Sequence, residues 1–316
     1  MFAMQNKLTT FGLSSLLAVL LLTACTAKQQ TLRSNEYIQS LDMETADLAE
    51  VRIDTLNLLE KTEKKNLLVV FDIDNTLLAM EQGLGSDQWY DWQKHLSETD
   101  QCNPRNVGDR FAVQGALYFA SAMRLTQEDG AGQVRSIQDL GVPVIALTSR
   151  GMDYRLQTFR ELRRNDLNFS YSAIGPEGGF DEPFVPVADG RLSLYEDGVF
   201  LTAGQHKGQM LYALLQKTGT PLPDVIVMTD DKQKNLDAVK ETFSALKIPV
   251  HSWRYTGEDK NVRGFSPDQA DIQWNAIDDA LRQIQQTMGS DNYDLSGAVL
   301  PQECDQPLSS SPVSCD

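Results

Sequence analysis

Hydrophobic positions along this chain fall in blocks whose spacing changes several times. A segment whose one charge is Lys7 runs into a continuous apolar stretch at 16–22 and ends in Thr23, Ala24 and Cys25. That is the layout of a secretory signal peptide, and it is too short for a comfortable membrane span. Residues 26–37 are polar and predict a tether. Ile38, Leu41, Leu48, Val51 and Leu59, spread through a charged segment, predict an amphipathic helix leading into the folded part. From Asn66 the pattern becomes an unbroken aliphatic run, Leu67, Leu68, Val69, Val70 and Phe71, the length of a strand buried on both faces.

The same grammar recurs twice. An apolar run at 142–147 precedes Thr148, Ser149 and Arg150, and another at 225–228 precedes Thr229, Asp230 and Asp231. Between the runs, Val134, Ile137 and Leu140, then Leu156, Phe159 and Leu162, then Met210, Leu211, Leu214 and Leu215, then Leu236, Val239, Phe243 and Leu246 recur at helical spacing. A further strand is expected at 248–253. Strands alternating with helices predict an α/β fold, a parallel sheet covered on both faces, with ligands bound beyond the carboxyl ends of the strands. Two stretches break the alternation. Residues 79–127 are rich in aromatic and polar positions and predict an inserted, mostly helical cap, while 170–203, with Gly178-Gly179 and Asp189-Gly190, predict turns and a hairpin. The expected organisation is a signal peptide at 1–24, a tether and leading helix at 25–62, a core with its cap at 63–290, and a loose tail at 291–316. A closing helix is expected at 267–288, and no internal repeat is present.

Composition narrows the function classes. The 316 residues carry a formal net charge of −16, which repels nucleic acid and anionic headgroups and implies a solvated acidic surface. There are four cysteines and three scattered histidines, with no Cys-x-x-Cys, so a zinc site is not expected. In an oxidising compartment Cys304 and Cys315 are expected to close a small loop in the tail, leaving Cys102 free. Neither a Gly-x-Ser-x-Gly elbow nor a Walker loop is present, which excludes those hydrolase and ATPase mechanisms.

The candidate chemistry sits at the strand ends. Asp72 and Asp74 stand two apart after the first aliphatic run, where an extended backbone would put both carboxylates on one side. Two acids there can divide the labour, one ionised as nucleophile and metal ligand, the other passing a proton. Asp72-Ile73-Asp74-Asn75-Thr76, Thr148, Lys207 in Gly204-Gln-His-Lys-Gly208, and Asp230-Asp231 with Asn235 occur in that order, and together they resemble the four motifs of the haloacid-dehalogenase-like (HAD) superfamily. With Gly85-Ser-Asp-Gln-Trp89, the chain is similar to a bacterial family of HAD-like proteins of unassigned function, and it shares the first motif and an anchor with secreted lipoprotein acid phosphatases.

That resemblance implies a Rossmann-like core and a Mg²⁺-dependent phosphomonoesterase. Asp72 would form an aspartyl-phosphate, and Asp74 would protonate the leaving oxygen and then deprotonate water. If Asp74 begins protonated, activity should favour mildly acidic pH. Mg²⁺ would be held by Asp72, the carbonyl of Asp74 and an acid of the fourth motif, Asp231 being favoured and Asp230 left open. Thr76, Thr148, Ser149 and Lys207 would bind the substrate's phosphate. Leu22-Thr-Ala-Cys25 resembles a bacterial lipobox, which implies lipidation of Cys25, and Thr26 resembles the outer-membrane sorting pattern, so the membrane would be met through the anchor only. The expected partner is a small phosphorylated substrate, with no nucleic acid and no oligomer indicated. Two alternatives stay open, a binding or scaffold lipoprotein without turnover and phosphotransfer to another acceptor.

Several residues keep two readings. Arg150 could reach a substrate anion or make a salt bridge at a helix start. Asn235 could orient a metal-bound water or cap a helix. Trp89, Tyr90 and Trp92 could stack on substrate, but aromatics at this spacing belong more often to the cap's own core. His206 is read as a bystander.

Overall fold

The computed structural model describes residues 38–289 and 304. Its strands are β1 (Leu41–Thr45), β2 (Leu67–Phe71), β3 (Leu78–Met80), β4 (Met123–Leu125), β5 (Val144–Thr148), β6 (Leu194–Glu196), β7 (Val199–Leu201), β8 (Val225–Asp230) and β9 (Val250–Tyr255). Its helices are α1 (Leu48–Leu58), α2 (Asp87–Thr99), α3 (Arg110–Ala120), α4 (Gly130–Gln138), α5 (Arg155–Arg164), α6 (Lys207–Thr218), α7 (Gln233–Ala245), α8 (Asp259–Arg263) and α9 (Pro267–Met288). Seven strands form one sheet in the order β1-β9-β8-β2-β5-β7-β6, parallel throughout except for the β6–β7 pair. The expected α/β architecture is present, with its aliphatic runs buried as β2, β5 and β8.

Alternation along the central strands splits their side chains between two cores. Leu68, Val70, Ile145, Leu147, Ile226 and Met228 pack with Met210, Leu214, Leu236, Val239 and Phe243 from α6 and α7. Gly208 lets these two helices meet closely, since a Cβ there would lie 2.1 Å from the Ala238 carbonyl oxygen. Its neighbour Lys207 opens α6 and is carried toward the strand ends. The fully buried Leu67, Val69 and Phe71 fill the opposite face, where α1 and α4 pack together.

Residues 79–127, the stretch expected as an inserted cap, lie between β2 and β5, ahead of the core helix α4. The antiparallel pair β3–β4 rises from the sheet and carries α2 and α3. Gly85, at φ +79 with Leu117 Cβ 2.8 Å from a would-be Cβ, turns the chain so that Ser86 can accept from Trp89 N and start α2. Trp89 is 1% exposed in a core that joins Val113 and Leu117 of the cap to Ala270 and Leu281 of α9, and Trp92 packs on Phe265, so both aromatics bind the cap to the C-terminal helix.

The hairpin expected within 170–203 is present, with β6 and β7 turning at Asp197-Gly198 and Phe184 bridging Ser193 across Asp189-Gly190, while two other expectations are corrected. The leading segment is not one helix. Leu41–Thr45 pairs with His251–Tyr255 as an edge strand, and the helix begins only at Leu48, after the Asp47 cap. Cys304 bonds Cys102, with Cα atoms 5.4 Å apart, so Cys102 is not free and the tail is tied to the cap. Cys315 and Cys25 lie outside the described residues. Proteolysis without reductant is expected to release the Cys102 peptide joined to that of Cys304; a Cys304–Cys315 peptide pair would contradict the structure.

Candidate functional site

The carboxyl ends of β2, β5 and β8 meet at one edge of the sheet, where the chain leaves the strands with Asp72, with Thr148, and with Asp230 followed by Asp231. Asp72 N still donates to the Thr229 carbonyl at 2.9 Å, but the backbone then curls. Leu77 N and Leu78 N both return to the Ile73 carbonyl, and Asn75 sits at φ +57. Asp72 and Asp74 therefore face the site from a tight turn rather than from an extended strand.

Lys207 Nζ is the hub of the first cluster, 2.6 Å from Asp72 Oδ1 and 2.6 Å from Asp230 Oδ2, with all three side chains almost fully buried. Asp230 spends its remaining capacity on Lys232 N and on the Asn235 amide, which donates to both its oxygens at 2.9 and 3.1 Å. Asn235 is thus neither a helix cap nor a group aimed at a metal; it orients Asp230. The Asp231 backbone N is pinned to Thr76 Oγ1 at 2.9 Å. Asp72, Asp230 and Asp231 each place a carboxylate oxygen within 4.8 Å of the others.

Charge is poorly balanced here. Burial, only partly offset by Lys207 and aggravated by Asp230 and Asp74, pushes the Asp72 carboxyl up to about 7. Burial, then Asp72 and Asp230, push Asp231 up to about 9. The opposing carboxylates hold the buried Lys207 ammonium charged, well above its usual range. Three crowded carboxylates sharing one ammonium form an all-oxygen set that a hard divalent cation would relieve.

Asp74 has a different environment. Arg150 Nε donates to its Oδ2 at 2.9 Å and Arg150 Nη2 to its Oδ1 at 2.8 Å, a two-point grip. Tyr118 of α3 donates to the same Oδ1 at 3.0 Å, and its ring lies under the guanidinium at 4.7 Å. Thr158 accepts from Arg150 Nη1 at 2.9 Å and fixes the guanidinium from behind. Burial alone would raise the Asp74 carboxyl, but Arg150, followed by Tyr118, outweighs it and holds the group below the usual carboxylate value of 3.8. Asp74 is accordingly a carboxylate at neutral pH, and Arg150 is neither a free anion site nor a helix-start ion pair. Removing the hydroxyl with Tyr118→Phe is expected to cost about 1.5–3 kcal/mol in urea unfolding, as for a hydrogen bond to a charged group. A loss below about 0.5 kcal/mol would show that Arg150 fixes Asp74 alone.

Other expected site residues separate into two groups. Thr148 ends β5 fully buried, its Oγ1 accepting from Arg150 N at 3.1 Å, and Ser149 beside it is exposed at the rim. Thr76 is also fully buried, and its hydroxyl is occupied by Asp231 N, so it shapes the loop after β8 and does not reach a substrate. His206 caps α6, its Nδ1 accepting from Gln209 N. A cavity of about 660 Å³ lies nearby, but it touches the Asp-x-Asp turn only through Asn75.

The inserted segment is latched to the loop after β8, since Lys232 pairs with Asp87 at 2.6 Å and Asp91 at 2.9 Å on α2. Only Arg150 among the groups of the Asp74 grip stood out in the sequence. Tyr118 lies 44 positions from Asp74 in an unremarkable helix, with nothing local to mark it.

The family of proteins of unknown function designated DUF2608 matches residues 45–288, most of the chain. This protein belongs to that family. The match runs from the end of β1 to the end of α9, so DUF2608 takes in the sheet, the cap and every group in the site described above. No curated protein matches the chain.

Proposed function

We propose that this DUF2608 protein is a Mg²⁺-dependent phosphomonoesterase that works through an aspartyl-phosphate on Asp72, as its resemblance to the HAD superfamily implies. One observation carries the reading: Asp72, Thr148, Lys207, Asp230 and Asp231, taken from three parallel strands and a helix, converge at the carboxyl edge of the sheet. Ligands in open α/β sheets bind at that edge. Asp72, the Asp74 carbonyl and Asp231 would hold Mg²⁺, whose charge neutralises the carboxylates and the phosphoryl oxygens when bound.

The chain's own residues then divide the work. Lys207, and Thr148 with Ser149, hold phosphoryl oxygens. With Lys207 fixing Oδ1, the other oxygen of Asp72 attacks phosphorus, and the bond to the leaving oxygen breaks with its electron pair. Water next attacks the phosphorus of the aspartyl-phosphate, the Asp74 carboxylate takes a proton from it, and the Asp72 carboxylate is restored. Gripped by Arg150 and Tyr118, Asp74 is ready as this base. It is a poor proton donor in the first half, so leaving groups that depart with little protonation, such as aryl oxides, suit the site. On this reading, activity holds up through neutral pH and does not favour mildly acidic pH.

Export is supported by the Cys102–Cys304 bond, since disulfides persist in oxidising compartments. A lipid anchor on Cys25, facing the periplasm from the outer membrane, completes the proposal. Among the described residues no helix is long and apolar enough to cross a membrane.

Hydrolysis of phenyl phosphate, followed as phosphate release with Mg²⁺ or with EDTA, tests the reading. Turnover that needs the metal and disappears in Asp72→Asn is the expected result. If Mg²⁺ binds but no phosphate is released, the binding-protein alternative gains the weight instead.

A further inference from the structure

The cap contains one arginine whose position the proposed reaction leaves unexplained. Arg110 opens α3 with its guanidinium 5.1 Å from the Tyr90 ring centre and 5.0 Å from that of Phe111, two rings that are themselves 5.4 Å apart. Its Nε is buried without a hydrogen-bond partner, and among the described residues no carboxylate pairs with it. Arg105, five positions earlier in the loop before α3, is different: it stacks on Trp92 and pairs with both Asp268 and Asp271. The Asp109 carboxylate beside Arg110 is occupied by the backbone N of Phe111 and Ala112, at 3.0 and 3.1 Å. In a chain with net charge −16, an ammonium or guanidinium held between two rings and left without a counter-ion stands out.

Arg110 is also connected to the reacting groups by a wall of aromatic side chains. Tyr118 donates to Asp74, its ring lies 5.4 Å from that of Tyr154, and Tyr154 Oη donates to the Phe111 carbonyl at 3.1 Å. Tyr90 is close enough to Tyr154 to contribute, after burial, to the rise of its phenol pKa. On α2, Tyr90 follows Asp87 by three positions, so the two share a helix face, and Asp87 in turn feels the charge of Asp74. The wall therefore starts at the Asp74 carboxylate and ends at Arg110.

We propose that Arg110 binds a second anionic group, a carboxylate or phosphate, at the far end of a flat leaving group that lies along Tyr118, Tyr154 and Tyr90. This names a substrate class for the phosphomonoesterase reading and rests on it: aromatic or planar phosphomonoesters that carry a further negative charge. An arginine held between rings keeps its fork of N–H donors in one plane, which suits a carboxylate and reduces the ordering cost of binding it.

Calorimetric binding of non-hydrolysable phosphonates to the Mg²⁺-loaded protein tests this without requiring turnover. Benzylphosphonate reports the phosphoryl site alone. 4-Carboxybenzylphosphonate and the longer 4-(2-carboxyethyl)benzylphosphonate add the anion at two reaches, and 4-(aminomethyl)benzylphosphonate reverses its sign. At least one carboxylate ligand is expected to bind about 10- to 100-fold more tightly than benzylphosphonate, the range of a charged hydrogen bond. The ammonium ligand is expected to bind more weakly. In Arg110→Met that ratio should fall toward one, and Arg110→Lys, which keeps the charge without the planar fork, should retain part of it. Benzylphosphonate binding with no preference for either carboxylate, or a preference that Arg110→Met leaves intact, overturns the assignment of Arg110 while the phosphoryl site stands. Failure of all four ligands to bind overturns the phosphomonoesterase reading and this inference with it.

Discussion

Lys207→Met is expected to destabilise the metal-free protein by about 3–5 kcal/mol, the cost of stranding a buried charge by deleting its partner. Lys207 is the one ammonium between Asp72 and Asp230, 2.6 Å from each, and all three side chains are almost fully buried. Without it the carboxylates must take up protons or repel one another, and Asp72 and Asp231 already sit at about 7 and about 9. For a domain of this size the loss corresponds to a melting point lower by roughly 10 °C. Because folding raises both carboxyls above their ordinary value of 3.8, the folded state binds more protons than the unfolded one. Metal-free stability should therefore fall as pH rises, from about pH 4 through 7 for Asp72 and on toward 9 for Asp231. Saturating Mg²⁺ should flatten that slope and recover part of the loss in Lys207→Met. Urea unfolding at pH 5 and pH 8, with EDTA or Mg²⁺, measures all of this. A variant as stable as the parent at pH 8 in EDTA would mean that the cluster is not buried as described.

The second large effect is expected from Arg150→Met. This change removes the two-point grip on Asp74 and the link to Thr158, and leaves Asp74 and Tyr118 facing each other without a cation. The cost should again be about 3–5 kcal/mol, since a charge is stranded in a largely buried site. Its pH dependence has the opposite sign to that of the Lys207 cluster. Folding lowers the Asp74 carboxyl, so the stabilisation from the grip is complete above the unfolded value of 3.8 and is lost as pH falls through the lower, folded one. Parent and variant should therefore differ more at pH 8 than at pH 6 and converge as pH falls toward 3. Activity gives an independent reading. In the parent the limb that reports Asp74 lies on the acid side of 3.8; in the variant, burial unopposed raises it. Phenyl phosphate turnover should drop by about 10²–10⁴ at pH 6, the usual contribution of a positioned base, and recover in part by pH 8. Arg150→Lys should not restore it, because an ammonium cannot match two oxygens and Thr158 at once. A parallel loss at every pH would assign Arg150 to substrate binding instead of to Asp74.

Both expectations depend on contacts whose legibility in the sequence differed. Aliphatic runs ending in Asp72, Thr148 and Asp230 determined the central strands, their burial and the edge at which polar groups gather. This follows because a strand buried on both faces must be apolar along its whole length, and local composition reports that directly. The order of the chemical groups along the chain, and the aromatic-rich insertion after β2, were legible for the same reason. Edge strand β1 was not. Leu41–Thr45 is mostly exposed and reads as part of a charged amphipathic segment; only β9, more than two hundred positions away, makes it a strand.

The tertiary structure alone decided which polar group answers which. Arg150 meets Asp74 across 76 positions, Lys207 meets Asp72 across 135, and Cys102 meets Cys304 across 202, displacing the pairing that proximity within the tail suggested. It likewise turned Thr76 from a substrate contact into a brace for the Asp231 loop, and Asn235 into the orienter of Asp230. Hydrophobic periodicity records which face of an element is buried, a property each residue has nearly by itself. A hydrogen bond or an ion pair belongs to two residues, and its second member is fixed only when the sheet order and the cap bring them together.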